Sequence, residues 1–294
     1  MPSHALTRRP ARGRTDRPPI PTFRWRILLI DTARLPAHET ITDAGPDKPW
    51  LTLVHGLSQH SGIFSAQIPV FRTRHRLLLV DLPGHGRSSG MPGPYGPGDF
   101  ANSVTAALDH VGIETTHFWG THTGAGIGLL LAARQPTRFR SLVLDGAVLL
   151  GSQPVSVRAT LARVKRLAAT EGMAAALSAW FDEAEWFEVM RRRPIACRRD
   201  AHRAMIDAFE GGPWLDDRPG TPAESIVDTL PSIRVPALLV NGEHDLADFK
   251  ATAARLGKLL GDARQVVVPE AGGFPLWETP ERVNGIVLRF LEGR

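Results

Sequence analysis

Cysteine is almost absent from this chain of 294 residues: Cys197 is the single one, so no internal disulfide can form. A fold without disulfides is compatible with a reducing compartment, and we expect a cytoplasmic protein. Nothing around Cys197 is typical of a nucleophile, so we interpret it as an incidental thiol.

Long apolar runs are also missing, and no stretch approaches the length that crosses a membrane. The spacing of His55, His60, His85, His122 and His244 matches no familiar set of metal ligands, and no cluster of cysteines or carboxylates completes one. We therefore expect no membrane association, no metal and no other cofactor.

Net positive charge is small outside one segment. Of the formal net charge of +5, residues 1–22 account for +4. This segment is rich in proline and arginine and poor in apolar residues, which predicts a disordered, solvated tail. Its Arg8-Arg9 pair resembles the start of a twin-arginine signal, but no apolar segment follows, so we expect no export. The remaining chain offers no basic surface for a nucleic acid.

From Trp50 onward, short apolar runs rich in β-formers alternate with helical stretches. The runs are Leu51–Val54, Leu77–Val80, Phe118–Trp119, Leu142–Leu144, Leu238–Val240 and Val266–Val268. This alternation predicts an α/β protein whose mostly parallel sheet is covered by helices on both faces. Two earlier segments, Arg26–Ile30 and Thr40–Ile41, fit antiparallel edge strands.

The alternation stops between residues 151 and 232, where the pattern predicts several helices and no strand. We therefore predict a core of residues 23–150 and 233–294, with residues 151–232 inserted as a helical cap. The aromatic and apolar side chains of the cap are Trp180, Phe181, Trp186, Phe187 and Met190. Such residues more often belong to a core, but any that face the core domain would form an apolar lid over a hydrophobic or aromatic small substrate.

Three motifs follow predicted strands. The first strand ends in His55-Gly56-Leu57, the second runs into the segment 81–89 (DLPGHGRSS), and the third leads into Gly120-Thr121-His122-Thr123-Gly124 and the predicted helix Ala125–Arg134. In this order and spacing they resemble the α/β-hydrolase superfamily, especially its members with a cap. The resemblance covers roughly residues 24–294 and implies the α/β-hydrolase fold.

The third motif is similar to the nucleophile elbow of that family, a sharp turn between a strand and a helix. Gly120 and Gly124 stand where side chains would collide with the turning backbone. The apex residue is His122, where the family has serine, cysteine or aspartate. The resemblance implies that the backbone N–H groups of Thr123 and Leu57 form an oxyanion hole, which does not depend on the apex side chain.

The resemblance also locates the other two members of a catalytic triad. Asp245, after the strand Leu238–Val240, matches the acid, whereas Gly273 stands where the family has its histidine. Without that histidine, a serine-type acyl-enzyme route is not available. Our hypothesis is that His122 fills the space of the missing imidazole, approaches Asp245 directly or through water, and acts as general base. Such a pairing would raise the pKa of His122.

Several alternatives stay open. Asp145 is a reserve partner for His122, and a covalent role for the imidazole is less favoured than general base catalysis. The enzyme would be a hydrolase or a non-hydrolytic lyase for a small ester or carbonyl compound. A catalytically inactive protein that binds a small ligand is the other class. A dinucleotide site at 124–128 (GAGIG) is disfavoured, because Leu129 stands where its glycine pattern needs a glycine.

Overall fold

The computed structural model describes residues 35–150 and 154–292. The predicted tail and the predicted strand Arg26–Ile30 lie outside these residues. Seven strands form one sheet: β1 (His38–Ile41), β2 (Trp50–Val54), β3 (Arg76–Val80), β4 (Thr116–Thr121), β5 (Phe139–Asp145), β6 (Ala237–Gly242) and β7 (Ala263–Val268). Their order is β1-β3-β2-β4-β5-β6-β7. Only β1 is antiparallel to its neighbour, as expected for Thr40–Ile41.

Eleven α-helices are present in the described residues: α1 (Ile68–Phe71), α2 (Pro97–Val111), α3 (Thr123–Arg134), α4 (Val155–Thr170), α5 (Met173–Glu183), α6 (Glu188–Arg192), α7 (Arg199–Asp207), α8 (Gly212–Leu215), α9 (Ala247–Leu259), α10 (Pro275–Glu278) and α11 (Pro280–Leu291). Short 3-10 helices lie at Ser61–Phe64, Gly86–Ser88, Pro136–Arg138, Glu185–Phe187 and Leu230–Ser232. The α/β-hydrolase fold, with a mostly parallel sheet flanked by helices, is therefore confirmed. In the described part of the chain, no helix is long and apolar enough to cross a membrane.

The central strands are buried at nearly every position because helices cover both faces of the sheet. All five residues of β2 and all six of β4 are buried, whereas β7, at one edge, is partly exposed. The strands predicted from apolar runs are thus found, but β4 and β7 are longer than their apolar cores, because polar residues also pair within the sheet.

Helices α4 to α8 lie between β5 and β6, and residues 154–232 of the described chain contain no strand. We call residues 154–232 the inserted segment, and its helices, including the 3-10 helix Glu185–Phe187, the inserted helices. The inner face of α4 is apolar, with Val157, Val164 and Ala168 buried. The inserted helices therefore have a side that faces the core. Strands β5 and β6 pair in parallel although this long segment separates them in the chain.

Parallel strands bring their carboxyl ends to one edge of the sheet, where ligands of open α/β sheets bind. Val54 pairs with Gly120, and Thr121 pairs with Asp145, so the loops that follow β2, β4 and β5 begin side by side. All sequence motifs singled out for chemistry therefore meet at this edge.

Candidate active site

His122 stands at the turn between β4 and α3, with φ +47° and ψ −108°. A positive φ is costly for a residue with a side chain, and the surrounding hydrogen bonds maintain it. The N–H of His122 donates to the carbonyl oxygen of Asp145 (2.8 Å), and its own carbonyl accepts from Gly126 (3.0 Å). The apex is therefore fixed from both sides.

The glycines on either side of the apex have the role that the sequence predicts. A Cβ at Gly120 would lie 2.3 Å from the main chain of Gly124, and a Cβ at Gly124 would lie 2.1 Å from the carbonyl oxygen of Val54. Real Cβ atoms do not approach the backbone so closely, so only glycine allows β4, α3 and β2 to pack here.

The ring of His122 is directed toward the loop after β7. Its Nε2 atom is 2.7 Å from the carbonyl oxygen of Gly273. The ring centroid lies 4.7 Å from that of Phe274 and 5.0 Å from that of Phe249. Gly146 leaves room on another side, since a Cβ there would lie 2.9 to 3.2 Å from three ring atoms. The imidazole is thus held by one polar contact within apolar surroundings.

This contact determines the protonation of the ring. A carbonyl oxygen only accepts hydrogen bonds, so Nε2 of His122 donates and carries the proton. In the neutral ring, Nδ1 then has a free lone pair. Burial lowers the pKa of His122 to about 4, although the hydrogen bond to Gly273 acts in the opposite direction. The ring is therefore neutral at pH 7.

The predicted direct pairing of His122 with Asp245 is corrected by these contacts, because Nε2 of His122 donates to Gly273 instead. The carboxyl group of Asp245 accepts from Asn241 Nδ2 and from the N–H of Leu246, each at 2.8 Å. The pKa of His122 is lowered rather than raised, because desolvation dominates and no carboxylate offsets it. The reserve partner, Asp145, contacts His122 only through its main-chain carbonyl.

Three buried carboxyl groups with a raised pKa lie at this edge of the sheet: Asp145, Asp245 and Glu278. Desolvation raises the pKa of Asp245 to about 7 and that of Glu278 to about 8. It raises the pKa of Asp145 well above its usual value, and the charge of Asp245 adds to this effect. Within the residues that the structure describes, no group of His, Cys, Asp or Glu is arranged to hold a metal ion.

The two predicted oxyanion donors, Leu57 and Thr123, line the same cavity as His122. Thr123 is the first residue of α3, so its N–H has no acceptor within the helix. Leu57 follows Gly56, whose N–H donates to Oε1 of Gln59 (3.3 Å). The next residue, Ser58, has φ +61°, so this loop turns sharply beside the elbow.

The cavity above the elbow has a volume of about 80 Å³, below the usual range for small-molecule sites, so it suits only a small compound. Its lining residues are Gly56, Leu57, Gln59, His122, Thr123, Val148, Leu150, Val157, Leu161, Trp180, Trp186, Phe249 and Phe274. Of the five apolar residues considered for a lid, Trp180 and Trp186 line the cavity, while Phe181, Phe187 and Met190 are buried elsewhere. Among these described lining residues, none bears a charge at neutral pH.

The sequence did not identify Gln59, Phe249 and Glu278 as residues of the candidate site. Gln59 links the loop after β2 to the inserted helices, because its Nε2 donates to Nε2 of His202 (3.1 Å). His202 lies on α7 and is fully buried among aromatic rings. A signal for Glu278 was present, since it is an acid at the end of the apolar segment 274–277.

The histidines of the first two motifs have structural roles, as interpreted from the sequence. His55 accepts a hydrogen bond from the N–H of Leu82 (2.9 Å) and donates to the carbonyl of Gly56 (2.7 Å). His85 stacks on Phe209 of the inserted segment, with centroids 4.9 Å apart. Both fix loops around the site, so neither is available as a base.

The elbow, the carboxyl-end cavity and the strand order define a class of protein, and comparison with known families agrees. Residues 49–280 match the family model described as alpha/beta hydrolase fold. The chain belongs to this family.

Among curated relatives, 3-oxoadipate enol-lactonase 2 of Acinetobacter baylyi is 30% identical over 228 residues, which are 77% of this chain and 82% of that protein. The pimeloyl-[acyl-carrier protein] methyl ester esterase of Nitrosospira multiformis is 26% identical over 262 residues, covering 84% and 94%. The crystal structure of an enol-lactonase from Burkholderia xenovorans superposes with a TM-score of 0.76 at 24% identity, covering 87% and 95%. At that identity the structural likeness shows the fold alone.

Proposed function

We propose that this chain is an enzyme for small, uncharged and largely apolar ester or carbonyl compounds, with His122 as general base. The observation that carries the proposal is the hydrogen bond from Nε2 of His122 to the carbonyl oxygen of Gly273. This bond orients the ring and leaves Nδ1 as the nitrogen that accepts a proton. A backbone carbonyl thus has the orienting role that a carboxylate has in a Ser-His-Asp triad.

Two main-chain amides would stabilise the charge that develops on the substrate. In the proposed arrangement, the N–H groups of Leu57 and Thr123 donate to the carbonyl oxygen of the bound compound. They line the cavity together with His122, and the N-terminus of α3 adds a favourable electrostatic potential. The substrate's apolar part would contact the aromatic wall formed by Trp180, Trp186 and Phe249.

For hydrolysis, a water oxygen adds to the acyl carbon while the water's proton passes to Nδ1 of His122. The electron pair of the C=O bond moves to the oxygen, which the two amides hold. The imidazolium then returns the proton to the departing oxygen as the C–O bond breaks, so an acid and an alcohol are released. In a lyase or isomerase, the same nitrogen would remove a proton next to the carbonyl and form an enolate. Asp245 has no direct part in either route.

The relatives support this reading of the substrate class. The names of two curated relatives, a methyl ester esterase and an enol-lactonase, both denote cleavage of an ester bond. An apolar cavity with backbone donors beside a neutral imidazole suits the same kind of bond here.

A protein that binds a small ligand without converting it is the second candidate. The pKa of His122, about 4, favours this candidate, because a base of low pKa is a poor proton acceptor. The aromatic cavity would serve such a protein equally well.

The deciding experiment measures product release from a panel of activated esters and lactones. It compares the native protein with His122→Ala and with His122→Gln, which keeps an N–H donor for Gly273 but has no basic nitrogen. We expect both variants to lose at least about 100-fold in turnover. Native turnover should rise with pH through about 4 and stay level near neutrality, because only the unprotonated ring accepts a proton.

The other outcomes are equally informative. Equal turnover in the three proteins would contradict a base at His122. Saturable quenching of tryptophan fluorescence without turnover would support the ligand-binding protein. Deuterium uptake from heavy water by a ketone, lost in His122→Gln, would support proton abstraction rather than hydrolysis.

A further inference from the structure

The side chain of Glu278 lies beneath the loop that orients His122. Glu278 is the last residue of α10, and its side chain is buried. Its Oε2 atom accepts a hydrogen bond from the N–H of Gly272. Its other oxygen, Oε1, has no hydrogen-bond partner in the described part of the chain. Glu278 therefore contacts the main chain of the loop through Gly272, and the N–H of Phe274 also favours the charged form of its carboxyl group.

Gly272 and Gly273 are consecutive residues, and one donates a hydrogen bond while the other accepts one. Gly272 donates through its N–H to Glu278, and Gly273 accepts through its carbonyl from His122. Two consecutive glycines have more backbone freedom in the unfolded chain than any other pair, so the orientation of their peptide groups depends on such anchors.

Packing by the inserted helices restricts the same loop from the other side. A Cβ at Gly272 would lie 2.7 Å from Val189, and a Cβ at Gly273 would lie 2.6 Å from the carbonyl oxygen of Trp186. These contacts are apolar or purely steric, so they limit displacement but do not select the direction of a carbonyl.

Two hydrogen bonds hold the peptide group before Gly272: its N–H donates to Glu278, and its carbonyl, that of Ala271, accepts from the N–H of His244 (2.9 Å). Of these two contacts, only the one with Glu278 comes from a side chain.

We propose that Glu278 is a positioning residue for His122. It holds the turn at Gly272 so that the carbonyl of Gly273 faces Nε2, and it thereby keeps the ring in the tautomer with a basic Nδ1. The importance of this tautomer for catalysis rests on the function proposed above, but the tautomer itself can be measured without any substrate.

The test is a long-range proton–nitrogen correlation spectrum of the 15N-labelled protein, which distinguishes protonated from unprotonated ring nitrogens. The signals of His122 are assigned as those missing from His122→Gln. In the native protein we expect Nε2 to be protonated and Nδ1 to be unprotonated. Glu278→Gln keeps an acceptor oxygen and should preserve this pattern. Glu278→Leu has no acceptor and should give averaged signals from a mixture of tautomers.

Two further variants complete the design. Glu278→Asp is shorter by one methylene, so it tests the contact with a smaller change in polarity if Glu278→Leu does not fold. Glu281→Leu, at an exposed position of α11, is the control and should leave the spectrum unchanged. If the native protein turns over an ester, Glu278→Leu should lower kcat by about 10- to 100-fold with little change in KM, because a misplaced base slows the chemical step.

Unchanged signals of His122 in both Glu278→Leu and Glu278→Asp would overturn the positioning role. A native spectrum without the Nε2–H tautomer would overturn it as well. A native protein that shows this tautomer, loses it in the variants and yet converts no substrate would leave the positioning role intact and refute the proposed enzyme.

Discussion

Trp186 occupies the space into which a side chain at Gly273 would extend. A Cβ at position 273 would lie 2.6 Å from the carbonyl oxygen of Trp186 and 2.7 Å from its Cβ. The expectation that His122 fills the space of the missing imidazole is therefore only partly right. The ring of His122 reaches the backbone of Gly273, but the inserted helices fill the space above it.

A side chain at position 273 should therefore destabilise the protein. We expect Gly273→Ala to lower the free energy of unfolding by about 1–3 kcal/mol, because the main chain of Trp186 must move. Gly285→Ala, within α11, is the control and should stabilise by up to about 1 kcal/mol, since glycine is a poor helix former. Urea unfolding of both variants measures the effect. Equal stability of Gly273→Ala and the native protein would mean that Trp186 moves aside without lowering the free energy of unfolding.

The space beside the ring of His122 can be tested at Gly146. Gly146 has φ +59°, and Gly112 has φ +74° with no atom within 4 Å of an added Cβ. Both alanine variants carry the same kind of backbone strain, but only the added Cβ of Gly146→Ala also contacts the imidazole ring of His122. We expect Gly146→Ala to be less stable than Gly112→Ala by about 1–2 kcal/mol, and only Gly146→Ala to change the ring-nitrogen signals of His122. Identical losses of stability would show that the ring moves freely.

The buried carboxyl groups predict a stability that decreases with rising pH. The pKa values of Asp245 and Glu278 are raised to about 7 and about 8, so the folded state binds their protons more tightly than the unfolded chain does. The contribution of these two groups to the free energy of unfolding should thus fall as the pH increases through these values, by on the order of 1–3 kcal/mol per group. Below pH 6.5 the buried histidines, whose pKa values are lowered by desolvation, act in the opposite direction, so the fall is expected above that pH.

Thermal unfolding at about pH 7 and about pH 9 measures this dependence above the range in which the buried histidines titrate. Glu278→Gln cannot ionise and should reduce the difference between the two melting temperatures. Glu281→Gln, which removes an exposed carboxylate, should not. A difference that is the same in all three proteins would argue against buried ionisation as its cause.

The hydrogen bond between Gln59 and His202 joins the loop after β2 to α7. Removing either side chain leaves a buried polar group without its partner, so Gln59→Leu and His202→Leu should each cost about 1–3 kcal/mol. A double-mutant cycle should give a coupling of roughly 1 kcal/mol, since the double variant leaves neither group unpaired. Additive losses would indicate that the two side chains act separately.

The uncharged lining of the cavity predicts discrimination against anions. We expect phenyl acetate to bind at least about 10-fold more tightly than 4-acetoxybenzoate, because an unpaired carboxylate is costly in an apolar site. Quenching of tryptophan fluorescence reports binding, since Trp180 and Trp186 line the cavity. Leu161→Lys adds a cation to the wall and should reverse the preference. Tighter binding of the carboxylate by the native protein would contradict the prediction.

The sheet and the elbow could be predicted from sequence because their determinants are local. A buried parallel strand needs a short apolar run, and the turn at His122 needs glycines two residues away on each side. Both requirements can be recognised within a few consecutive residues of the sequence.

The partner of His122 could not be predicted in this way. It depends on where the inserted helices place Trp186, and on a backbone carbonyl of Gly273 that no sequence pattern marks. Reasoning from triad positions favoured a carboxylate partner and a raised pKa, whereas the burial that lowers the pKa of His122 is a property of the packed site, where its ring contacts Phe249 and Phe274.

At the elbow, different groups would serve the recognition of a substrate and the reaction with it. Recognition of a carbonyl group would depend on amides of the main chain at Leu57 and Thr123, whose presence does not depend on any particular side chain. Reactivity would depend on His122 and on the contacts that orient its ring. The side chain at this apex can therefore be exchanged without removing the two amides, but a new nucleophile there would also need a proton acceptor, because Trp186 fills the space of a side chain at position 273.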